Sequence, residues 1–164
     1  MENKKNDAIS NTGPIIHLNE INLINCLDIF SSVKIPPEVA NELKKNKVLI
    51  PKKISIILLD SSSKDFLNML IQKYSLDFGE AEAIALNLQE KSEYFLTDDL
   101  DARRIANEFQ IEVHGTIGII LKAFKEKIIS KKTAIEKIKE IKQKSSLFIT
   151  HDLINEVILE IEKY

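Results

Sequence analysis

The chain has 164 residues, of which 44% are apolar and 29% charged, with a formal net charge of −2. This composition suits one domain, or one domain with a small extension, that buries a sizeable core. No apolar run reaches the roughly 18 residues that cross a bilayer. Residues 1–7 lack the apolar stretch of an export signal, and the single Cys26 cannot form an internal disulfide. We therefore expect a cytoplasmic protein without membrane contact.

The first half of the chain alternates β-branched runs with patterns of helical spacing. Proline suits the first turn of a helix, so the pair Pro36-Pro37 predicts a helix start. The predicted elements are a strand at 8–10, a helix carrying Ile15, Leu18, Ile21 and Leu23, a turn and strand at 31–35, a helix from Pro36 through Val39 and Leu43, a strand at 54–59, and a helix after residues 61–63 carrying Phe66, Leu67, Leu70, Ile71 and Tyr74.

The second half continues this alternation. Gly79 predicts a break, and Thr116 is predicted to cap the N-terminus of a helix. The predicted elements are helices at 80–89, 102–109 and 116–124, strands at 94–96 and 111–113, and two final helices, one with Ala134, Ile135, Ile138 and Ile141 and one with Leu153, Ile154, Val157, Ile158 and Ile161. Such alternation predicts an α/β fold with a mostly parallel sheet covered on both faces.

We predict a domain at residues 1–128 and a helical extension at 129–164, packed on that domain or on a partner. Charge is unevenly distributed, because residues 122–144 contain nine lysines against three glutamates, a balance of +6. With −2 for the whole chain, the remainder carries −8. Such a basic segment could bind nucleic acid or an acidic partner, or could simply be a solvated helix face.

Several side chains with oxygen donors stand where an α/β fold could bring them together at the carboxyl ends of its strands. They are Asn11, Glu42, Glu80, Glu82 and the pair Asp98-Asp99. Three or four such donors from separate elements suit a hard cation such as Mg²⁺ or Mn²⁺. Each acid has an alternative role at a helix start or on the surface. Helical geometry does not choose between Glu80 and Glu82, since both flank the apolar stripe of their helix.

The order of four segments, followed by a fifth, resembles a PIN domain. The segments are Ile9-Ser10-Asn11-Thr12-Gly13-Pro14, Pro36-Pro37-Glu38-Val39-Ala40-Asn41-Glu42-Leu43, Gly79-Glu80-Ala81-Glu82-Ala83-Ile84-Ala85-Leu86, Leu96-Thr97-Asp98-Asp99 and His114-Gly115-Thr116-Ile117-Gly118. The similarity covers roughly residues 8 to 125. It is closest to the branch of predicted nucleic-acid-binding proteins related to VapC-type toxins.

This resemblance implies a three-layer α/β/α PIN-like fold and endoribonuclease activity dependent on Mg²⁺ or Mn²⁺. By position it implies Glu42, Glu80 and Asp99 as metal ligands, with Asp98 in support and Glu82 in reserve. The first acid of the family falls on Asn11, which supplies a carbonyl oxygen but no charge. Losing that charge could weaken metal binding roughly a hundredfold or more.

Further candidates for substrate binding are Thr12, Thr97, Arg103, Arg104 and Thr116. Thr97 matches a threonine that commonly precedes the last acid of the family. Arg103 or Arg104 could hold a phosphate or could form a surface ion pair. Thr12 and Thr116 could bind substrate or could cap helices. His17, His114 and His151 lack ligand spacing.

Three functions follow from these residues. The first is a ribonuclease with RNA as substrate; the resemblance implies that it acts as the toxin of a type II toxin–antitoxin pair, with a small antitoxin as partner and a homodimeric state. The second is a PIN-fold module, impaired by Asn11, that binds RNA or an antitoxin without efficient cleavage. The third and weakest is a phosphoryl-transfer domain that uses Asp98 and Asp99 as an acidic pocket.

Overall fold

A computed structural model describes residues 6–164, which form five strands, eight α-helices and a short 3₁₀ helix, Ile24–Ile29. Residues 1–5, which hold most of the segment predicted to lack an export signal, lie outside this described part. The elements are β1 Asp7–Ser10, α1 Thr12–Glu20, β2 Ser32–Ile35, α2 Pro37–Lys45, β3 Ile54–Ile56, α3 Ser61–Tyr74, α4 Phe78–Glu90, β4 Tyr94–Leu96, α5 Leu100–Glu108, β5 Glu112–His114, α6 Thr116–Lys125, α7 Lys131–Lys144 and α8 His151–Lys163.

The five strands form one parallel sheet in the order β3-β2-β1-β4-β5. From β1 the chain first builds outward through β2 and β3, then returns to add β4 and β5 on the other side. The order therefore reverses between β1 and β4, whose register pairs Ile9 with Phe95. In open α/β sheets a crevice forms at such a reversal, outside the carboxyl ends of the strands.

Successive side chains of each strand point to opposite faces of the sheet, and each face has its own hydrophobic core. Ala8 belongs to the core built with α1, α2, α6, α7 and α8, whereas Ile9 belongs to the core built with α3, α4 and α5. Both side chains are fully buried. The predicted three-layer α/β/α architecture with a parallel sheet is therefore confirmed.

The two C-terminal helices pack on the body of the protein. Ile138 of α7 and Ile161 of α8 are fully buried in the same core as Ile119 and Ile120 of α6. Leu153, at the start of the last predicted stripe, is 43% exposed. Among the helices of residues 6–164, none is both long and apolar enough to cross a membrane.

Several predicted boundaries are wrong. Gly79 lies inside the first turn of α4, where no break occurs. Gly115 holds the N-cap position of α6 and Thr116 is its first helical residue, because the Thr116 hydroxyl bonds elsewhere. The predicted strand at 54–59 ends at Ile56, and Leu58 is 73% exposed, since no further strand among residues 6–164 covers this edge of the sheet.

Other boundaries move by one or two residues. The serines at 61–63 form the first turn of α3, whose N-cap is Asp60. Helix α5 begins at Leu100 because Asp99 caps it, and β5 ends at His114.

Candidate functional site

A cleft of about 600 Å³ opens at the reversal point of the sheet, where β1 and β4 end. Its wall combines polar residues that follow these two strands with residues of α2, α4, α5 and the α7–α8 loop. The lining residues are Asn11, Thr12, Gly13, His17, Glu42, Asp77, Glu80, Thr97, Asp98, Asp99, Leu100, Asp101, Ser146, Leu147 and Phe148. Six of the fifteen are acidic, so the cleft favours cations.

Asn11 is the corner of the cleft contributed by β1. It is 7% exposed, and its backbone N–H donates to Leu96 O at 2.8 Å, which ties the ends of β1 and β4 together. Its side-chain oxygen accepts from the N–H of Thr12 at 2.9 Å and so caps α1. Its amide nitrogen donates to Thr97 Oγ1 at 3.3 Å. A carbonyl oxygen has two lone pairs, so the bond from the Thr12 N–H leaves the side-chain oxygen able to accept one more partner.

Glu42 reaches the cleft from the middle of α2. The Thr12 hydroxyl donates a hydrogen bond to Glu42 Oε2, which orients the carboxylate. On its other side stands Gly79, where an added Cβ would lie 2.6 Å from Glu42 Oε1. The missing side chain of Gly79 therefore makes the space that this carboxylate occupies.

Glu80 enters the cleft from the first turn of α4. Burial, followed by the negative charges of Asp99 and Asp77 and more weakly that of Glu42, raises the pKa of Glu80 to about 7. The backbone N–H of Asp77 acts in the opposite direction. These causes show that the carboxylates of the cleft are close enough to repel one another.

Glu82, two residues further along α4, points elsewhere. It is 8% exposed, and its Oε2 accepts from the backbone N–H of Glu38 at 3.0 Å. That N–H lies in the first turn of α2, where no helical partner exists. Burial is also the main cause that raises the pKa of Glu82. Of the two glutamates left open by helical geometry, Glu80 lines the cleft and Glu82 does not.

Asp98 is fully engaged by its neighbours. Its Oδ1 accepts from the Thr116 N–H at 2.7 Å, and its Oδ2 accepts from the Thr116 hydroxyl at 2.6 Å. His17 Nδ1 also lies 2.7 Å from Oδ2. Burial by itself would raise the pKa of Asp98, but hydrogen bonds from His17 and Thr116 outweigh it and hold that pKa below its usual value. Asp98 thus fastens α1 and α6 to the end of β4.

Asp99 keeps one oxygen for the cleft. Its Oδ1 accepts from the Ala102 N–H at 2.8 Å and caps α5, while Oδ2 makes no hydrogen bond with a described residue. The buried Thr97 hydroxyl accepts from the Asp99 N–H at 3.2 Å as well as from Asn11. Thr97 therefore holds two corners of the cleft at a fixed separation.

The other predicted substrate contacts lie off the wall of the cleft. Arg104 is 63% exposed at its side chain and forms an ion pair with Asp101 at 3.6 Å. Arg103 is half-buried beside Gly115, where its Nη2 would lie 3.1 Å from an added Cβ. Thr116 is fully buried against Asp98. Neither arginine lines the cleft, nor does Thr116.

The donors of the cleft suit a hard divalent cation by their chemistry. Three carboxylates, Glu42, Glu80 and Asp99, and the Asn11 carbonyl oxygen line one space, and their mutual repulsion is relieved by positive charge. Within residues 6–164, no three or more His, Cys, Asp or Glu side chains converge on one point as a ready set of metal ligands. The fit is therefore one of donor type and charge.

Sequence reasoning missed several residues that line the cleft, among them Asp77, His17 and residues 146–148. Asp77 lines the cleft and precedes Glu80 by three residues. This is the spacing of a capping box, which could have indicated that the two acids lie close together at the start of α4. His17 has no other histidine at ligand spacing, so the sequence gives it no role in the site, yet it pairs with Asp98. Residues 146–148 carry no local signal, since they reach the cleft only through the packing of α7 and α8.

Comparison with known proteins agrees with this geometry. A family model described as a PIN domain matches residues 7–163, which is nearly the whole chain. Searches of curated proteins and of solved structures found no match.

Proposed function

The chain belongs to the PIN-domain family, whose fold is in general that of nucleases, and on this premise we propose that it is a divalent-metal-dependent endoribonuclease. The proposal extends to a role as the toxin of a type II toxin–antitoxin pair. The observation that carries it is the meeting of Asn11, Glu42, Glu80 and Asp99 in one cleft at the reversal point of the sheet.

Glu42, Glu80 and Asp99 would hold Mg²⁺ or Mn²⁺, with the Asn11 oxygen as an uncharged fourth donor. When bound, such an ion offsets the charge of a phosphodiester and makes a water molecule a better nucleophile. The protein's own residues prepare the site. Thr12 orients Glu42 and Thr97 spaces Asn11 from Asp99.

The remaining residues act as supports. Asp98 positions the start of α6 by accepting a hydrogen bond from the Thr116 N–H. The Thr97 hydroxyl accepts from the Asp99 N–H and so holds Asp99 at the end of β4. Asp77 adds negative charge next to Glu80 and strengthens the preference of the cleft for a cation.

The test is an RNase assay with and without Mn²⁺, combined with calorimetric titration of Mn²⁺. Wild type should cut RNA and bind Mn²⁺, and Asp99→Asn should lose both. Asn68→Asp, which changes an exposed residue of α3, serves as a control for the expression and purity of the protein. A wild-type protein that neither cuts RNA nor binds Mn²⁺ contradicts the proposal.

One observation favours the alternative, a PIN-fold module that binds RNA or an antitoxin without efficient cleavage. The Asn11 amide brings no charge, and both of its ends are engaged by Thr12 and Thr97. The variant Asn11→Asp restores the charge and still caps α1. Under this alternative Asn11→Asp raises cleavage and Mn²⁺ affinity by roughly a hundredfold. If wild type cuts RNA at an ordinary rate and Asn11→Asp leaves that rate unchanged, the alternative is ruled out.

The partners belong to the proposal as well. RNA is the proposed substrate, a small antitoxin the proposed inhibitor and a homodimer the proposed state, all in the cytoplasm. Several lysines of the segment 122–144 pair with glutamates, among them Lys122 with Glu126 at 2.9 Å and Lys125 with Glu160 at 2.9 Å. These ion pairs support the interpretation of that segment as a solvated surface.

A further inference from the structure

The loop between α7 and α8 presents an aromatic ring to solvent at the rim of the acidic cleft. Phe148 is 92% exposed and lines the cleft together with Leu100, which is 78% exposed. Of the seven phenylalanines, five are buried or pack against the cores, and Phe78 is 50% exposed. Such exposure of an aromatic side chain costs hydrophobic free energy that burial would have gained.

The loop holds this ring outward by fixed contacts. Glu20 at the end of α1 accepts hydrogen bonds from the Ser146 N–H at 2.7 Å and from the Ser146 hydroxyl at 2.9 Å. Burial would raise the pKa of Glu20, yet the bonds from Ser146 and Ser145 and the charge of His17 lower it, which keeps the acceptor ionised. Leu147 and Ile149, on either side of Phe148, pack in the core.

The composition of the cleft limits what a polynucleotide can contact. Its described lining residues include no lysine and no arginine, so the wall offers no permanent cation for a phosphate. Apolar faces are supplied by Phe148, Leu147 and Leu100. A nucleotide has an apolar face as well, that of its base, and an aromatic ring binds it by stacking if the base is unpaired.

We infer that Phe148 is a stacking residue that binds an unpaired base of a single-stranded RNA next to the acidic cleft. This inference rests on the proposed function and adds to it a residue that binds the RNA at the rim of the cleft. A base-paired segment keeps its bases stacked on one another and leaves no face for the ring. Phe148 is here a binding residue and takes no part in bond cleavage.

The first test measures KM and kcat for a short single-stranded RNA of mixed sequence in Mn²⁺, or the dissociation constant by fluorescence anisotropy if turnover is slow. Phe148→Ala should raise KM or the dissociation constant by about 5- to 100-fold and leave kcat nearly unchanged. Phe148→Trp, which keeps an aromatic ring, should have the KM or dissociation constant of wild type. Leu49→Ala is the matched control, because Leu49 is 90% exposed but precedes the edge strand β3 and does not line the cleft.

The second test uses the absence of tryptophan from the natural chain. Phe148→Trp and Leu49→Trp each create a protein with one tryptophan, and single-stranded RNA in Mg²⁺ should quench the emission of the first protein only. A duplex of the same sequence should quench it far less.

The outcomes separate the two claims. If wild type binds or cuts RNA while Phe148→Ala behaves like Leu49→Ala, the stacking role is wrong and the proposed function stands. Equal quenching of Phe148→Trp by single strand and duplex also overturns the stacking role. If wild type neither binds nor cuts RNA, the proposed function fails and the stacking role with it.

Discussion

The protonation of Glu80 depends on the cleft around it. Burial and the charges of Asp99 and Asp77 raise its pKa from 4.5 to about 7. An acid whose pKa is raised by folding destabilises the fold when it ionises, so stability is lost as pH rises from about 4.5 to 7. A cation in the cleft reverses this effect, because it stabilises the ionised form.

The variant Glu80→Gln should therefore be more stable than wild type in EDTA at pH 8 and equally stable at pH 4. A displacement from 4.5 to about 7 corresponds to roughly 3 kcal/mol, which solvent near this half-buried side chain reduces to about 1–2 kcal/mol. Urea denaturation at both pH values measures the difference. Glu156→Gln, at an exposed position of α8, should show no such pH dependence. Equal stability of Glu80→Gln and wild type at pH 8 contradicts the argument.

Thr116 affects the site through Asp98. Its hydroxyl and its N–H both donate to the Asp98 carboxylate, and the threonine is fully buried. Thr116→Val removes the hydroxyl donor and leaves a buried carboxylate oxygen with one bond fewer, at a cost of about 1–3 kcal/mol.

Urea denaturation should show this loss for Thr116→Val, whereas Thr116→Ser, which keeps the hydroxyl, should stay within about 1 kcal/mol of wild type. A loss of the same size in both variants would mean that the methyl group of Thr116, and not its hydroxyl, is important.

At the level of elements, one glycine of α4 leaves room for a carboxylate of α2. An added Cβ at Gly79 would lie 2.6 Å from Glu42 Oε1, closer than van der Waals contact allows. Gly79→Ala should displace the Glu42 carboxylate and lower Mn²⁺ affinity by roughly 10- to 100-fold, as other changes beside metal ligands do. Calorimetric titration of Mn²⁺ measures the affinity.

Gly13→Ala is the matched control, since its Cβ would meet His17 and Asp98 at 3.5 and 3.6 Å, which are ordinary contacts. It should keep the affinity of wild type. If Gly79→Ala binds Mn²⁺ as tightly as Gly13→Ala, Glu42 is no ligand or its carboxylate adjusts freely.

At the level of the whole molecule, residues 129–164 share the hydrophobic core on one face of the sheet. Ile138 of α7 is fully buried in the core that also contains Ala8 of β1. The division at residue 128, with a nuclease domain before it and a helical extension after it, therefore remains a proposal. The match to the PIN-domain family extends to residue 163 and thus spans both parts.

Ile138→Ala should cost about 2–5 kcal/mol of unfolding free energy, because it leaves a cavity in a closed core. Ile128→Ala, at a residue 40% exposed, should cost less than about 1 kcal/mol. Urea denaturation followed by circular dichroism measures both. A small effect of Ile138→Ala would show that α7 and α8 contribute little to the stability of the body.

Much of the fold was predictable from local patterns. The parallel sheet follows from strands alternating with helices, and the PIN-domain resemblance from the order of five short segments; both are confirmed. Helix starts were less predictable. Thr116 looks like a cap but bonds to Asp98, and Gly79 looks like a break but makes room for Glu42. The roles of both residues depend on partners distant in the chain, which no local pattern reveals.

The sequence by itself determined which oxygen donors follow which elements, because strand and helix periods depend on neighbouring residues alone. Only the tertiary structure decided how they meet. The order of strands brings Asn11 beside Thr97, 86 residues away, and the packing of α4 on α2 sends Glu80 into the cleft and Glu82 to the start of α2. Helical geometry left these two glutamates equal, because a helix in isolation has no neighbour to distinguish its faces.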